Sequence, residues 1–113
     1  MHWTEVVDRR VGDAIVLELK GHLTLAEEER GLMRLIRELL DQGQRTFVLN
    51  LQHVSYIDSP GIGEIVGAYT RVTRMGGTLR ICEASPRVRD VLRATMLDAV
   101  LELYEHEADA LAG

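Results

Sequence analysis

The sequence predicts an α/β fold, in which a small, mixed but mostly parallel sheet with an N-terminal β-hairpin is flanked by about four helices. Two apolar segments on either side of Gly12-Asp13 predict the hairpin. After them, short apolar segments alternate with segments of helical periodicity, which is typical of βαβ units with parallel strands. The 113 residues are enough for one domain with its own core, and we expect a single domain over residues 1–113.

The hairpin and the first helix follow from local patterns. We expect strands over Thr4–Arg10 and Ala14–Lys20, with Gly21 closing the second strand. A helix is predicted over 25–42 because its apolar residues recur every three or four positions, and Gly43 is a natural stop. These residues are Leu32, Leu35, Ile36, Leu39 and Leu40.

The third strand and the second helix surround the most informative stretch of the chain. The nearly continuous apolar run Thr46–Leu51 predicts a strand that is covered on both faces. The second helix is predicted from about Gly61 to Met75, beginning at or just after Ser59. Its apolar side is expected to consist of Ile62, Ile65, Val66, Tyr69 and Val72, and its exposed side to include Glu64, Ala68 and Arg71.

The remaining elements complete the alternation. Gly76-Gly77 ends the second helix, and a strand is predicted over Thr78–Glu83. A third helix opens at Ser85-Pro86 and turns Val88, Val91, Leu92 and Thr95 inward. A short strand, Leu101–Tyr104, and a short helix, Glu107–Leu111, follow.

Composition excludes several classes of function. The net charge of −5 argues against nucleic acid or an anionic membrane surface as a partner. No apolar run approaches the roughly 18 residues that span a bilayer. The first residues carry no secretory signal, so we expect a cytoplasmic protein. Cys82 is expected to be a buried thiol, and the four histidines show no ligand spacing, so no metal site is expected.

Ser59 is the candidate functional residue. Ser-Pro can be a plain helix start with serine as the N-cap, and Ser85-Pro86 repeats the same pair at the next helix. Ser59 differs because it adjoins Asp58 and because Gly61 and Gly63 follow it, which would let another chain approach closely. A helix N-terminus also tolerates a phosphate, since unpaired N–H groups and the helix dipole favour negative charge there.

Two chemical alternatives fit this stretch poorly. Gly61-x-Gly63-x-x-x-Gly67 is close to a dinucleotide fingerprint, but its third glycine is one residue late and Asp58 would repel a pyrophosphate. A receiver domain with Asp58 as phosphoacceptor would need an early acidic pair and a late lysine, whereas Lys20 is the single lysine. No nucleophile elbow or phosphate-binding lysine loop is present either, so we expect no enzyme activity.

The chain resembles the STAS domain of bacterial anti-sigma factor antagonists. The resemblance is carried by Val48-Leu49-Asn50-Leu51, by Val54-Ser55-Tyr56-Ile57-Asp58-Ser59-Pro60-Gly61-Ile62-Gly63, by Gly76-Gly77-Thr78-Leu79 and by Ser85-Pro86-x-Val88. It implies a STAS-like fold in which Ser59 is phosphorylated by a partner serine kinase. The unphosphorylated form would bind the anti-sigma factor, often the kinase itself, and a serine phosphatase would reset the switch. ATP would belong to the kinase, so no cofactor is expected here.

The resemblance also implies a partner-binding surface around Ser59, formed by Asp58, Pro60, Gly61, Gly63, Glu64, His22 and Thr24. Two positions depart from the family pattern. Thr24 stands where members commonly have an aspartate, and Pro60 follows the serine where serine, threonine or alanine is usual. Proline removes an N–H and stiffens the loop, so it bears on how a kinase would meet Ser59.

Two other roles on the same fold stay open at this point. STAS domains also serve as subunits beside the ATPases of lipid-transport systems and as building blocks of stress-signalling assemblies. Neither role requires a phosphorylation switch. A stand-alone chain with an intact serine at position 59 favours the antagonist.

Overall fold

A five-stranded sheet organises the structure, a computed structural model that describes residues 4–23 and 31–113. Within these residues the first two strands pair antiparallel and the other pairs are parallel, which confirms the predicted mixed, mostly parallel sheet with an N-terminal hairpin. The strands lie side by side in chain order and are β1 (Thr4–Val11), β2 (Ala14–Leu23), β3 (Thr46–Ile57), β4 (Thr78–Cys82) and β5 (Glu102–Tyr104). The helices are α1 (Leu32–Asp41), α2 (Ser59–Arg74), α3 (Pro86–Ala94) and α4 (Glu107–Ala112), with a 3₁₀ turn at Leu97–Ala99.

The hairpin turns where the sequence predicts it. Val11 pairs with Ala14, and Gly12 takes a φ of 61°, which glycine adopts without steric cost. The prediction that Gly21 closes the second strand is wrong, because β2 continues to Leu23. Gly21 lies inside the strand with a φ of 100°, next to a shift in the register against β3.

Strand β3 is longer than predicted. It has 12 residues and ends at Ile57, whereas the sequence pattern ended at Leu51. Glu18 pairs with Asn50 but Lys20 pairs with His53, so β3 carries an extra residue there, and a second shift follows near Tyr56. Such bulges break the alternation of inward and outward side chains, which is why this half of the strand does not look like one in the sequence.

The two faces of the sheet differ in what covers them. Helices α1, α2 and α3 pack on the face that carries Phe47, Leu49 and Ile81, and together they form the main core. The other face carries a smaller cluster under α4. Its residues are Val16, Val48, Cys82 and Ala110. Cys82 is fully buried there, as predicted, and burial together with nearby carboxylates raises the pKa of its thiol to about 12, so it stays protonated at neutral pH.

Helix α4 is held to this second face by a polar network. Arg9 of β1 and Asn50 of β3 both reach Oε1 of Glu107, at 2.6 Å from Arg9 Nη2 and 2.9 Å from Asn50 Nδ2. The Arg9 guanidinium lowers the pKa of Glu107 below its ordinary value of 4.5. The network therefore joins the first strand, the central strand and the last helix.

The helices mostly match the sequence pattern. Of the helix predicted over 25–42, residues 32–41 are helical, and 25–30 lie outside the described residues. In α2, Ile65 and Val72 are buried as expected, but Ala68 is also fully buried, so its predicted exposure is wrong. Thr95, predicted to point inward, is exposed at the end of α3.

Candidate functional site

The candidate site lies where β3 ends and α2 begins. Strands β2 and β3 run parallel to their carboxyl ends, where Leu23 pairs with Ile57 and the backbone of His22 pairs with Tyr56. Asp58 leaves the sheet, and α2 starts at Ser59. The ends of two adjacent strands and the start of a helix therefore meet at this point, which is where ligands and partners often bind in parallel sheets. Thr24, also predicted here, lies outside the described residues.

Asp58, and not Ser59, caps helix α2. Asp58 has an extended backbone, and its Oδ1 accepts a hydrogen bond from the backbone N–H of Gly61 at 2.9 Å. The carbonyl of Asp58 accepts the first helical hydrogen bond, from Ile62 N–H at 2.8 Å. The interpretation of Ser59 as the N-cap and Pro60 as the first helical residue is therefore wrong, because both lie one position further into the helix.

This arrangement changes which backbone donors remain at the helix start. Pro60 has no N–H, and the N–H of Gly61 already binds Asp58. Of these first three helical residues, Ser59 alone keeps an N–H that bonds to no described residue. The expected row of unpaired N–H groups is thus largely absent from this turn. A phosphate on Ser59 would meet the Asp58 carboxylate nearby and few donors of its own helix.

The residues predicted around Ser59 form a patch that is only partly exposed. Ser59, Pro60 and Gly63 are exposed, Asp58 is half-buried and Gly61 is buried. The Ser59 hydroxyl makes no hydrogen bond to any residue that the structure describes. A Cβ added to Gly63 would meet no atom of the described residues within 4 Å, so among these residues nothing crowds the surface beside Ser59.

Glu64 connects the site to α1. Its Oε1 accepts a hydrogen bond from the backbone N–H of Leu32 at 2.8 Å. Gly31, the residue before α1, offers no side-chain cap of its own, so this carboxylate from α2 satisfies a donor at the start of α1. Glu64 thus has a structural role that the sequence did not reveal.

Tyr56 is a candidate contact that the sequence interpretation passed over. Its side chain is 45% exposed, two residues before Asp58 at the end of β3. Val54 and Ile57 on either side of it are buried, so the bulged strand turns Tyr56 outward. Val54 and Ile57 are three residues apart in the sequence, and this spacing is the signal that could have identified Tyr56 as an outward-facing residue.

Two further observations concern metals and membranes. In the part of the chain that the structure describes, no three His, Cys, Asp or Glu side chains are grouped so that they could hold a metal ion. Over the same residues, none of the helices combines the length and apolar character that crossing a bilayer would need.

Comparison with known proteins places the chain in a family. The model of the STAS domain matches residues 5–110. The chain is 26% identical over 97 residues to the anti-sigma F factor antagonist of Paenibacillus polymyxa, covering 86% of this chain and 83% of that relative. It is also 29% identical over 101 residues to an anti-sigma factor antagonist homolog named in Thermotoga neapolitana, covering 89% of each chain.

Solved structures agree on the fold. An anti-sigma factor antagonist from Mycobacterium paratuberculosis superimposes with a TM-score of 0.82 at 19% identity, over 97% of this chain and 92% of that one. The Bacillus cell fate determinant SpoIIAA in its phosphorylated form gives a TM-score of 0.71 at 22% identity, over 97% of each chain. Because the family model spans nearly the whole chain, this protein belongs to the STAS domain family.

Proposed function

We propose that this chain is an anti-sigma factor antagonist that binds an anti-sigma factor while Ser59 is unphosphorylated and releases it when Ser59 carries a phosphate. The observation that carries this proposal is the exposed Ser59 hydroxyl, which Asp58 leaves uncommitted by capping α2 itself. The names of the relatives from Paenibacillus and Thermotoga support the class of partner.

The switch would work by charge at the contact. A phosphate adds about −1.5 to −2 charges. The Asp58 carboxylate lies on the adjacent residue, and the N–H of Gly61 is already bonded to it, so the helix start offers little to neutralise the phosphate. A partner surface that closes over a neutral hydroxyl would instead cover a desolvated dianion. That costs several kcal/mol when the charge is unpaired, and each 1.4 kcal/mol is a tenfold change in affinity.

The fold need not change for such a switch to operate. Ser59 is exposed in the first turn of α2, so a phosphate could extend into solvent without displacing core side chains. We therefore expect the phosphorylated and unphosphorylated forms to share one backbone structure and to differ in the surface potential around Ser59.

The partners follow from the same proposal. The anti-sigma factor, or a serine kinase associated with it, would supply the ATP and the phosphoryl transfer, and a serine phosphatase would remove the phosphate. This chain would contribute no catalytic group and would act in the cytoplasm, where sigma factors work. The kinase must accept a serine that proline follows, since Pro60 is exposed beside Ser59.

The test uses the purified chain and each anti-sigma factor kinase of its source organism. With ATP, wild type should gain one phosphate, located at Ser59 by mass spectrometry, while Ser59→Ala should gain none. Unphosphorylated wild type and Ser59→Ala should bind the kinase alike by calorimetry, and the phosphorylated form should bind at least 100-fold more weakly. Ser85→Ala serves as the matched control, because it removes a serine from the same dipeptide at another helix. Phosphorylation elsewhere, or binding unaffected by phosphate on Ser59, would contradict the proposal.

A further inference from the structure

A groove between α1 and α2 lies further along the helix that Ser59 begins. It has a volume of about 470 Å³ and is lined by Met33, Gly67, Thr70, Arg71, Arg74 and Met75. Gly67 forms part of the floor: a Cβ placed on it would lie 3.6 Å from Sδ of Met33. A methyl group at position 67 would thus make an ordinary van der Waals contact with Met33, and a larger side chain would extend into the groove.

The groove combines an apolar floor with a positively charged wall. Met33 and Met75 are flexible and polarisable, and such side chains adapt well to partner surfaces. Arg71 and Arg74 are exposed and form no ion pair with any residue that the structure describes. None of the lining residues that the structure describes is acidic, although the chain as a whole carries a net charge of −5.

The groove is continuous with the patch around Ser59. At 100° per residue, Ser59, Gly63, Thr70 and Arg74 fall on one face of α2, opposite the buried Ile65, Ala68 and Val72. This face extends about 22 Å from Ser59 to Arg74 at the helical rise of 1.5 Å per residue. A partner segment of a few turns could therefore reach both ends at once.

We propose that this groove is a second contact for the anti-sigma factor, taken by a segment that carries acidic residues around one or two apolar side chains. The apolar side chains would fill the space above Gly67, and the acidic residues would pair with Arg71 and Arg74. This inference rests on the proposed function and adds to it a site that phosphorylation of Ser59 does not touch. The groove would retain part of the affinity in every phosphorylation state and would help to select the partner.

The experiment measures calorimetric binding of the purified anti-sigma factor kinase to four unphosphorylated proteins. These are wild type, Ser59→Asp, the double variant Arg71→Glu/Arg74→Glu and the control Arg87→Glu/Arg93→Glu. The control changes the net charge equally on exposed positions of α3, and Arg93 lies in the last turn of that helix as Arg74 does in α2. Gly67→Leu, which fills the groove without changing charge, is a fifth protein, and circular dichroism melts check that all five are folded.

We expect the Arg71/Arg74 variant and Gly67→Leu each to weaken binding at least tenfold, while the Arg87/Arg93 control stays within twofold of wild type. The loss in the Arg71/Arg74 variant should shrink as salt is raised. If Ser59→Asp weakens binding and the two groove variants do not, the groove inference is wrong and the proposed function stands. If no anti-sigma factor binds wild type, the proposed function fails and the groove inference with it. A wild-type dimer in sedimentation that Gly67→Leu dissociates would assign the groove to a second copy and overturn the inference.

Discussion

The dipeptide Ser-Pro occurs at the start of two helices, α2 and α3. Ser59 lies one position further into its helix than Ser85 does. Ser85 is the N-cap of α3, where its Oγ accepts from the N–H of Val88 at 3.2 Å and Pro86 is the first helical residue. Ser59 is itself the first helical residue of α2, because Asp58 takes the capping position and binds Gly61 N–H.

The difference shows how one neighbouring residue changes what a serine can do. The Ser85 hydroxyl accepts the capping hydrogen bond from Val88 N–H, so it is committed to its helix. At α2 the Asp58 carboxylate makes the capping hydrogen bond in place of the Ser59 hydroxyl. A carboxylate also interacts more strongly than a hydroxyl with the positive end of the helix dipole. Because Asp58 supplies the cap, a phosphate on Ser59 in the proposed switch would not remove a capping hydrogen bond.

The largest expected difference between the two serines concerns binding. Ser59→Asp should weaken binding of the anti-sigma factor about 100-fold, equivalent to about 2.7 kcal/mol, because the contact would cover an unpaired charge beside Asp58. Ser85→Asp should leave binding within twofold of wild type, since aspartate is also a good N-cap. Calorimetry of both variants against the same kinase measures this. Equal losses in the two variants would show that net charge, and not position, sets the affinity.

The second effect concerns the cap that frees Ser59. Asp58→Ala should lower the free energy of unfolding by about 1–2 kcal/mol, because Gly61 N–H loses its acceptor and the helix dipole loses a negative charge. Urea denaturation followed by circular dichroism measures the change. Asp58→Asn is the matched control and should recover most of the loss, since its side-chain oxygen can accept the same hydrogen bond. An unchanged stability in Asp58→Ala would mean that Ser59 can take over as cap.

The sequence pattern was sufficient to predict the architecture of the sheet but not to predict which residue caps α2. The turn at Gly12 and the alternation of apolar segments with helices identified the sheet and its hairpin. The end of β3 could not be located from the sequence. Because of the bulges after Asn50, Val54 and Ile57 are both buried although they are three residues apart, so the alternation that marks a strand is lost. The strand end decides which residue caps α2. Asp58 and Ser59 are both good caps, and the interpretation that assigned the cap to Ser59 was wrong because the strand ends at Ile57.

Contacts among the helices and strands could not be predicted from the sequence either. Glu64 looked like an exposed residue of α2, and its hydrogen bond to Leu32 N–H depends on how α1 and α2 pack. Ala68 looked exposed because alanine is a weak signal in an amphipathic pattern, yet it is fully buried. The sequence places Asp58, Pro60, Gly61 and Gly63 beside Ser59 because they are consecutive or nearly so in the chain, and their role in partner binding stays a prediction.

A smaller effect is expected at the control helix. Ser85→Ala should lower the free energy of unfolding by about 1 kcal/mol, because the N–H of Val88 loses the hydroxyl that satisfies it. Urea denaturation measures the loss, and Ser85→Thr should preserve most of the stability because threonine is also a cap. No loss in Ser85→Ala would indicate that water replaces the cap at no cost, and the contrast between the two serines would then rest on binding alone.

The smallest effect, and the sharpest test of the comparison, is expected for Ser59→Ala. Its hydroxyl bonds to no described residue and it occupies the first turn of α2, so alanine should change the free energy of unfolding by no more than about 0.5 kcal/mol. The same urea denaturation that detects the loss in Ser85→Ala can resolve this difference. If Ser59→Ala instead costs as much as Ser85→Ala, Ser59 also holds its helix. A kinase would then modify a residue that the fold depends on, and the switch would have to act through a change of structure at α2 rather than through charge at an unchanged surface.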